Sequence, residues 1–260
     1  MKLAVLQSSG RPGDTDFHLE QLETAATNAA GQGADLLLCP ELFLSGYNVG
    51  DQLPGLAQAL DGPFCMSACE IAKRQGIALI YGYPEKDGET LYNSARIIDR
   101  DGNPIGNYRK LHLAGDYENR FFTTGNEMTV VEIAGAKIAV LICCDVEFME
   151  AVRACRNSGA ELVCVPTALR EQYEHLAHRL IPTRAFENSL FIAYANHAGS
   201  EDDWKYCGSS CIAAPDGTDV ARAGSNQTLL IAELDLGLIN NARSELPYLL
   251  EPRGDVFGRS

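Results

Sequence analysis

Lys137-Ile-Ala-Val-Leu-Ile-Cys-Cys-Asp-Val-Glu-Phe148 is the stretch on which the fold turns. Its apolar half, Lys137 to Ile142, reads as a buried strand, and the residues from Phe148 to about Asn157 read as an amphipathic helix. A strand feeding a helix belongs to α/β architecture. It also puts Cys143 at a strand end just ahead of a helix, with Sγ expected at an exposed sheet rim and in the positive field of the helix N-terminus. Free cysteines are more often buried and inert. A reactive thiol here has to be argued from the rest of the chain.

Two other strand ends supply that argument. Ala34-Asp-Leu-Leu-Leu-Cys39 runs into Pro40-Glu41-Leu42-Phe43, so Glu41 also leaves a buried strand. Tyr108-Arg-Lys-Leu-His-Leu113 places Lys110 near a third. Side chains from separate strand ends converge at the edge of an α/β sheet. Glu, Lys and Cys in that order suit thiol chemistry. An ordinary thiol has a pKa of about 8.5, so a carboxylate is needed to take its proton and later to deprotonate an attacking water. A lysine ammonium, with the backbone N–H after the nucleophile, stabilises the oxyanion of a tetrahedral intermediate. None of the five histidines has an obvious catalytic setting.

These blocks resemble the signatures of the nitrilase superfamily of carbon–nitrogen hydrolases: Pro40-Glu-Leu-Phe43, Tyr108 to Leu113, and Ile142-Cys-Cys-Asp145 with Phe148 and Glu150. Glu118-Asn-Arg-Phe-Phe-Thr-Thr-Gly125, Arg184 to Asn188 through Asn196, and Pro215-Asp-Gly217 extend the likeness over nearly the whole chain. The resemblance implies Glu41 as general base, Lys110 as oxyanion stabiliser and Cys143 as nucleophile, with Glu118 as a second carboxylate that positions Lys110 or the substrate amide. It places the thiol at Cys143 rather than Cys144, which takes a usually aromatic place. Met149 stands where proline is common at the start of the following helix.

The chain has 260 residues, 21 basic against 35 acidic side chains, and a formal net charge of −14. That balance excludes a phosphate-backbone binder and disfavours an anionic membrane surface. No stretch reaches the ~18 apolar residues of a membrane span, and the apolar run after Met1 is too short for a signal peptide. Nine cysteines, several in strand-like runs, fit reduced thiols in a cytoplasm better than a disulfide framework. Cys65/Cys69 and Cys207/Cys211 lack the spacing of common zinc sites, and His175/His178 lack that of a His-Glu-x-x-His motif, so neither a metal nor a cofactor is expected. Ser209 and Ser210 follow Gly208 without a Gly-x-Ser-x-Gly elbow, so a serine nucleophile is disfavoured.

Hydrophobic periodicity predicts strands at 2–7, 35–39, 76–83, 161–166, 190–196, 210–214 and 229–234, and hairpins at 92–110 and 129–142. Helices are predicted from about Asp16 to Gln32, Gly62 to Gln75, Phe148 to Asn157, and Glu171 to Ser189 with a break near Pro182. Eleven or twelve strands with four main helices exceed one ordinary sheet. The fold class expected is α/β, a four-layer α-β-β-α sandwich with two stacked mixed sheets, and the resemblance implies the same. Residues 1–260 are read as one domain. Asn240 to Ser260, apolar without periodicity, is read as an extended tail at a subunit interface, and the resemblance implies a homodimer or larger assembly.

Within the superfamily, Cys144-Asp145 after the thiol is closer to amidase-like branches than to the Trp-Glu of nitrile hydrolysers, and Val146 lacks the arginine of carbamoyl amino-acid hydrolases. The expectation is hydrolysis of a small carboxylic or amino-acid amide to acid and ammonia through a Cys143 thioester. A nitrilase and a catalytically silent binding protein are the alternatives. Tyr47, Tyr117, Leu169 and Trp204, with Cys144, are candidates to line the substrate pocket.

Overall fold

A computed structural model describes residues 1–245. Two six-stranded sheets form its centre. One has the order β14 (Thr228–Glu233), β1 (Lys2–Gln7), β2 (Leu36–Leu38), β3 (Ala78–Asp87), β4 (Thr90–Ile98), β5 (Pro104–Arg109). The other has β6 (Val130–Ile133), β7 (Ala136–Val140), β8 (Leu162–Pro166), β9 (Phe191–Ala195), β12 (Cys211–Ala213), β13 (Asp219–Arg222). A short ribbon, β10 (Ser200–Glu201) with β11 (Trp204–Lys205), stands apart. In these orders both sheets pair antiparallel, parallel, parallel, antiparallel, antiparallel. One pairing pattern is thus used twice, although the first sheet takes its outer strand β14 from late in the chain and no sequence repeat announces the likeness.

The helices are α1 (Thr15–Gly31), α2 (Leu53–Leu56), α3 (Pro63–Gln75), α4 (Gly115–Phe121), α5 (Met149–Asn157), α6 (Ile181–Asn188) and α7 (Gly237–Glu245). Their ends obey local chemistry. The Asp14 side chain accepts from the Phe17 N–H at 3.0 Å to start α1, and Gly76, at φ +67°, takes the left-handed turn that ends α3.

Period-two alternation separates the layers. Leu3, Val5, Leu36, Leu38 and Ile80 pack with Ile138, Val140, Leu162 and Cys164 of the second sheet. Their neighbours Ala4, Leu6, Leu37, Leu79 and Tyr81 face the other way, onto Leu22 and Ala26 of α1 and Ile71 of α3. α5 and α6 pack on the second sheet and complete four layers, α-β-β-α. Two antiparallel steps make β5 run with β3, so β2, β3 and β5 end at one edge. A parallel bridge from Ser8, just past β1, to His197, just past β9, ties the corresponding ends of the two sheets together.

The structure departs from the sequence reading in its finer elements. Fourteen strands and seven helices lie among the described residues, against eleven or twelve and four expected. β10, β11 and β13 are too short to show periodicity. The expected helix from 171 to 189 is a 3₁₀ turn (Glu171–Tyr173), a π-turn (Leu176–Leu180) and α6, with Pro182 in the first turn of α6. Residues 240–245 belong to α7 rather than to an extended tail. Residues 246–260, the rest of the expected interface segment, lie outside the described residues.

Candidate active site

Glu41 stands just past β2, in a loop seated on β3. The Gly82 N–H donates to Pro40 O at 3.1 Å and the Leu44 N–H donates to Gly82 O at 3.1 Å. This approach needs a glycine, because a Cβ at residue 82 would lie 2.6 Å from Pro40 O and 2.7 Å from Glu41 Cα. The loop is also tied to the second sheet. The Glu41 N–H donates to Thr167 O at 3.4 Å, and His197 Nε2 donates to Glu41 O at 2.7 Å. Lys110 follows β5, its N–H donating to Asn93 O at 2.8 Å and its carbonyl accepting from the Gly125 N–H at 2.7 Å.

Cys143 opens a 3₁₀ turn, Cys143–Glu147, directly after β7 and has φ +47°. A positive φ is strained for a residue with a side chain and recurs at functional turns. Asp145 holds the turn in place. Fully buried, it accepts from the Ile142 N–H at 3.2 Å, the Tyr108 hydroxyl at 2.8 Å and the His112 N–H at 2.9 Å. The Cys144 N–H sits near the turn's start, where no earlier carbonyl of the turn can pair with it.

These elements bring Glu41, Lys110 and Glu118 into one buried cage, each with no exposed surface. Lys110 Nζ donates to Glu41 Oε1 at 2.7 Å and to Glu118 Oε1 at 2.6 Å. Asn93 Nδ2 also donates to Glu41 Oε1, at 2.8 Å. Glu118, on α4, further accepts from the Tyr47 hydroxyl and, at 2.9 Å, from the Ala114 N–H. Glu41 Oε2 is buried without a hydrogen-bond partner among the described residues. An ammonium has three N–H donors, and the two carboxylates use two of them.

Burial governs the electrostatics. It pushes the Glu41 carboxyl up to about 7, the nearby Lys110 charge offsetting part of the effect and Glu118 adding to it. Burial also opposes the Lys110 charge, but Glu41, Glu118 and Cys143 more than compensate, and the ammonium is held well above its usual range. The Cys143 thiol is driven well above its ordinary value by burial and by Glu41. This corrects the expected exposed Sγ: Cys143 is only 9% accessible. A thiol in that setting does not ionise by itself and has to pass its proton to a base.

Cys143 reaches a cavity of about 290 Å³, and the cage lies behind it. Cys144, Tyr47, Leu169 and Trp204 line that cavity, as the sequence suggested. Tyr117 does not. It stands behind the wall, stacked on Tyr47 at 5.7 Å and edge-to-face with Trp204 at 5.5 Å, with its hydroxyl donating to Tyr47 O at 2.9 Å. Glu147, Arg170 and Tyr173 also line the cavity and were not singled out beforehand. Nor was Glu201. Buried on β10, it accepts on Oε2 from the Tyr47 and Asn48 N–H groups at 2.9 and 2.7 Å and from the Tyr206 hydroxyl at 2.7 Å. Asn93 carried no signal, since its strand also holds Ser94 and Arg96 and nothing named its partner. Among the described residues no cluster of His, Cys, Asp and Glu is arranged to hold a metal ion, and all nine cysteines are free.

The carbon-nitrogen hydrolase family profile matches residues 2–244. A hydrolase encoded in the pqqF 5' region of Pseudomonas protegens is 43% identical, covering 99% of this chain and 90% of its own length. An (R)-stereoselective amidase from a Pseudomonas species is 33% identical over 97% of this chain and 92% of its own. The solved structure of a mutant of the amidase from Nesterenkonia sp. AN1, which carries the result of Michael addition of acrylamide at its active-site cysteine, superposes with a TM-score of 0.86. It is 33% identical and matches 96% of this chain and all of that one.

Proposed function

Because this chain belongs to the carbon–nitrogen hydrolase family, we propose that it hydrolyses small amides to carboxylic acid and ammonia through a thioester on Cys143. The observation that carries this reading is the state of Glu41. One oxygen is fixed by Lys110 and Asn93, and the other is buried with no partner among the described residues. Such an oxygen is a proton acceptor waiting for a donor.

Glu41 Oε2 takes the Cys143 thiol proton as Sγ attacks the amide carbon, and the carbonyl electrons move onto oxygen. The third Lys110 N–H and the Cys144 N–H stabilise that oxyanion, a class of interaction worth about 10²–10³ in rate per donor. As the tetrahedral intermediate collapses, Glu41 returns the proton to nitrogen, the C–N bond breaks and ammonia leaves. Glu41 then deprotonates a water that attacks the thioester, and the proton returns to Sγ as the acid departs. Glu118 keeps Lys110 in place by sharing its charge. The chain is read as one domain acting as a homodimer or larger homo-oligomer, with its cysteines reduced in a cytoplasm, which light scattering and thiol titration of the native protein check.

Ammonia release from aliphatic, aromatic and amino-acid amides and matched nitriles, with Cys143→Ala as blank, tests the activity. Turnover of amides that the blank lacks is expected. Turnover of nitriles alone would make the protein a nitrilase, and silence across the panel would favour a binding protein.

A further inference from the structure

Two charged side chains line the cavity above Cys143, and one of them has no role in the scheme just given and no partner. Glu147 closes the same 3₁₀ turn that Cys143 opens. At about 2.0 Å of rise per residue, four steps separate the two Cα atoms by roughly 8 Å, the span of a small substrate. The turn is rigid at that end. Arg184 Nε and Nη2 donate to the carbonyls of Val146 and Glu147 at 3.1 and 2.6 Å, and Arg184 gives its ion pair to Glu187 at 2.7 Å instead. No described residue donates a hydrogen bond to the Glu147 carboxylate or stands within ion-pair distance of it. The other charged side chain of the wall, Arg170, lies with its guanidinium 4.7 Å from the Trp204 ring centroid and 5.7 Å from that of Tyr173. It is stacked, and it is not paired with Glu147.

Glu147 is exposed on the cavity wall, and a wall carboxylate with no cation attached can bind a cation that arrives with the ligand. Partial desolvation at the wall raises its carboxyl above the ordinary range, and Lys110, Arg184 and His175, none of them bonded to it, offset this only in part. Tyr47, Tyr173 and Trp204 complete the wall, and the rings of Tyr173 and Trp204 hold the Arg170 guanidinium, which leaves Glu147 as the free charge. The whole chain, at −14, draws cationic ligands in and repels anionic ones.

We propose that Glu147 is a specificity residue that binds a protonated amine on the substrate, so that the preferred substrates are amides bearing an ammonium group near the reacting carbonyl, as in α-amino-acid amides. The inference rests on the amide-hydrolase reading above and adds the class of amide to it. The discrimination is one of charge at fixed shape, since replacing the ammonium by a methyl group leaves Glu147 facing carbon.

The test compares kcat/KM for 2-aminobutyramide and its uncharged isostere 2-methylbutyramide, with succinamate as the anionic counterpart. It is run near pH 7, where an α-amine of pKa about 8 is mostly protonated. The wild-type protein is expected to favour 2-aminobutyramide over the isostere by about tenfold or more, the range of a hydrogen bond to a charged group. Glu147→Gln should reduce turnover of the ammonium substrate at least about tenfold more than that of the isostere, chiefly through KM. Glu147→Asp, which keeps the charge, should hold a clearly larger preference than Glu147→Gln. If Glu147→Gln lowers both substrates in step, Glu147 merely supports the turn and the inference is overturned, with the amide-hydrolase reading intact. A wild-type preference for succinamate would also overturn it and point to Arg170. Failure to hydrolyse any of the three amides, or any other amide, would remove both readings together.

Discussion

The Lys110 ammonium lies 2.7 Å from Glu41 Oε1, while Glu41 Oε2, on the same buried carboxylate, has no hydrogen-bond partner among the described residues. Lysine therefore holds the base at one end and leaves its other end to the proton in transit.

The first prediction concerns pH. Burial raises the Glu41 carboxyl from 4.5 to about 7, and only its ionised form can act as base. kcat/KM should therefore fall as pH drops through about 7, rather than below 5 as for an ordinary glutamate. The sign for stability is opposite. Between about 4.5 and 7 the folded protein holds a proton that the unfolded chain has released, so the contribution of this group to stability declines as pH rises through that window. A pH–rate profile and melts across the same range check both, and a rate limb centred near 4.5 would contradict this role for Glu41.

Cys143→Ala should lower kcat by more than about 10⁴-fold, since the acyl intermediate forms on its sulfur. Cys144→Ser should stay within about tenfold of the wild-type rate, because the backbone N–H of residue 144 survives the change. The Cys144 Sγ donates its proton to His112 O at 3.0 Å, a backbone carbonyl that cannot take it as a base. Steady-state kinetics on the best amide decides. The reverse pattern would move the nucleophile to Cys144.

Glu118→Gln keeps the shape of α4 and takes away one of the two negative charges around Lys110. Lys110 should then be drawn toward Glu41, with a loss in kcat of about 10²-fold and a much smaller change in KM. Circular dichroism should show a folded protein. Rates near wild type would refute a part for Glu118 in catalysis.

Gly82→Ala is a backbone test of the same site from behind. The added carbon would meet Pro40 O at 2.6 Å and Glu41 Cα at 2.7 Å, so the Glu41 loop has to shift. A cost of about 3 kcal/mol is expected, a fall in melting temperature of roughly 6–12 °C. Activity should drop further than the remaining folded fraction explains. A fully active, wild-type-stable variant would mean that the loop is not seated as described.

Much of this arrangement is legible in the chain because its chemistry sits at the ends of apolar runs. Glu41, Lys110 and Cys143 each follow a strand, and strands that run the same way end at the same edge. The four layers follow from too many strands for one sheet. What escapes is whatever depends on contacts between distant segments. The burial of Cys143 under a wall that includes Tyr47 and Trp204 cannot be read from residues 137–148, and Asn93 meets Glu41 only after β4 has paired with β3. Strands of two residues such as β10 and β11 carry no period, so nothing in the chain marks Glu201 as buried on one. Tyr117, a candidate for the pocket wall, is instead the ring against which Tyr47 and Trp204 pack, a contact between three distant segments.

Glu41, Lys110 and Glu118 are set by the first sheet and the segments after it, whereas Cys143 arrives on the second, and the Glu41 loop is pinned by Thr167 and His197 from that second sheet. A refolding chain with either sheet formed alone has no complete catalytic centre, however much secondary structure it has recovered. Recovery of turnover after dilution from denaturant should therefore lag behind the far-ultraviolet circular dichroism signal, and the delay between the two clocks the docking of the sheets.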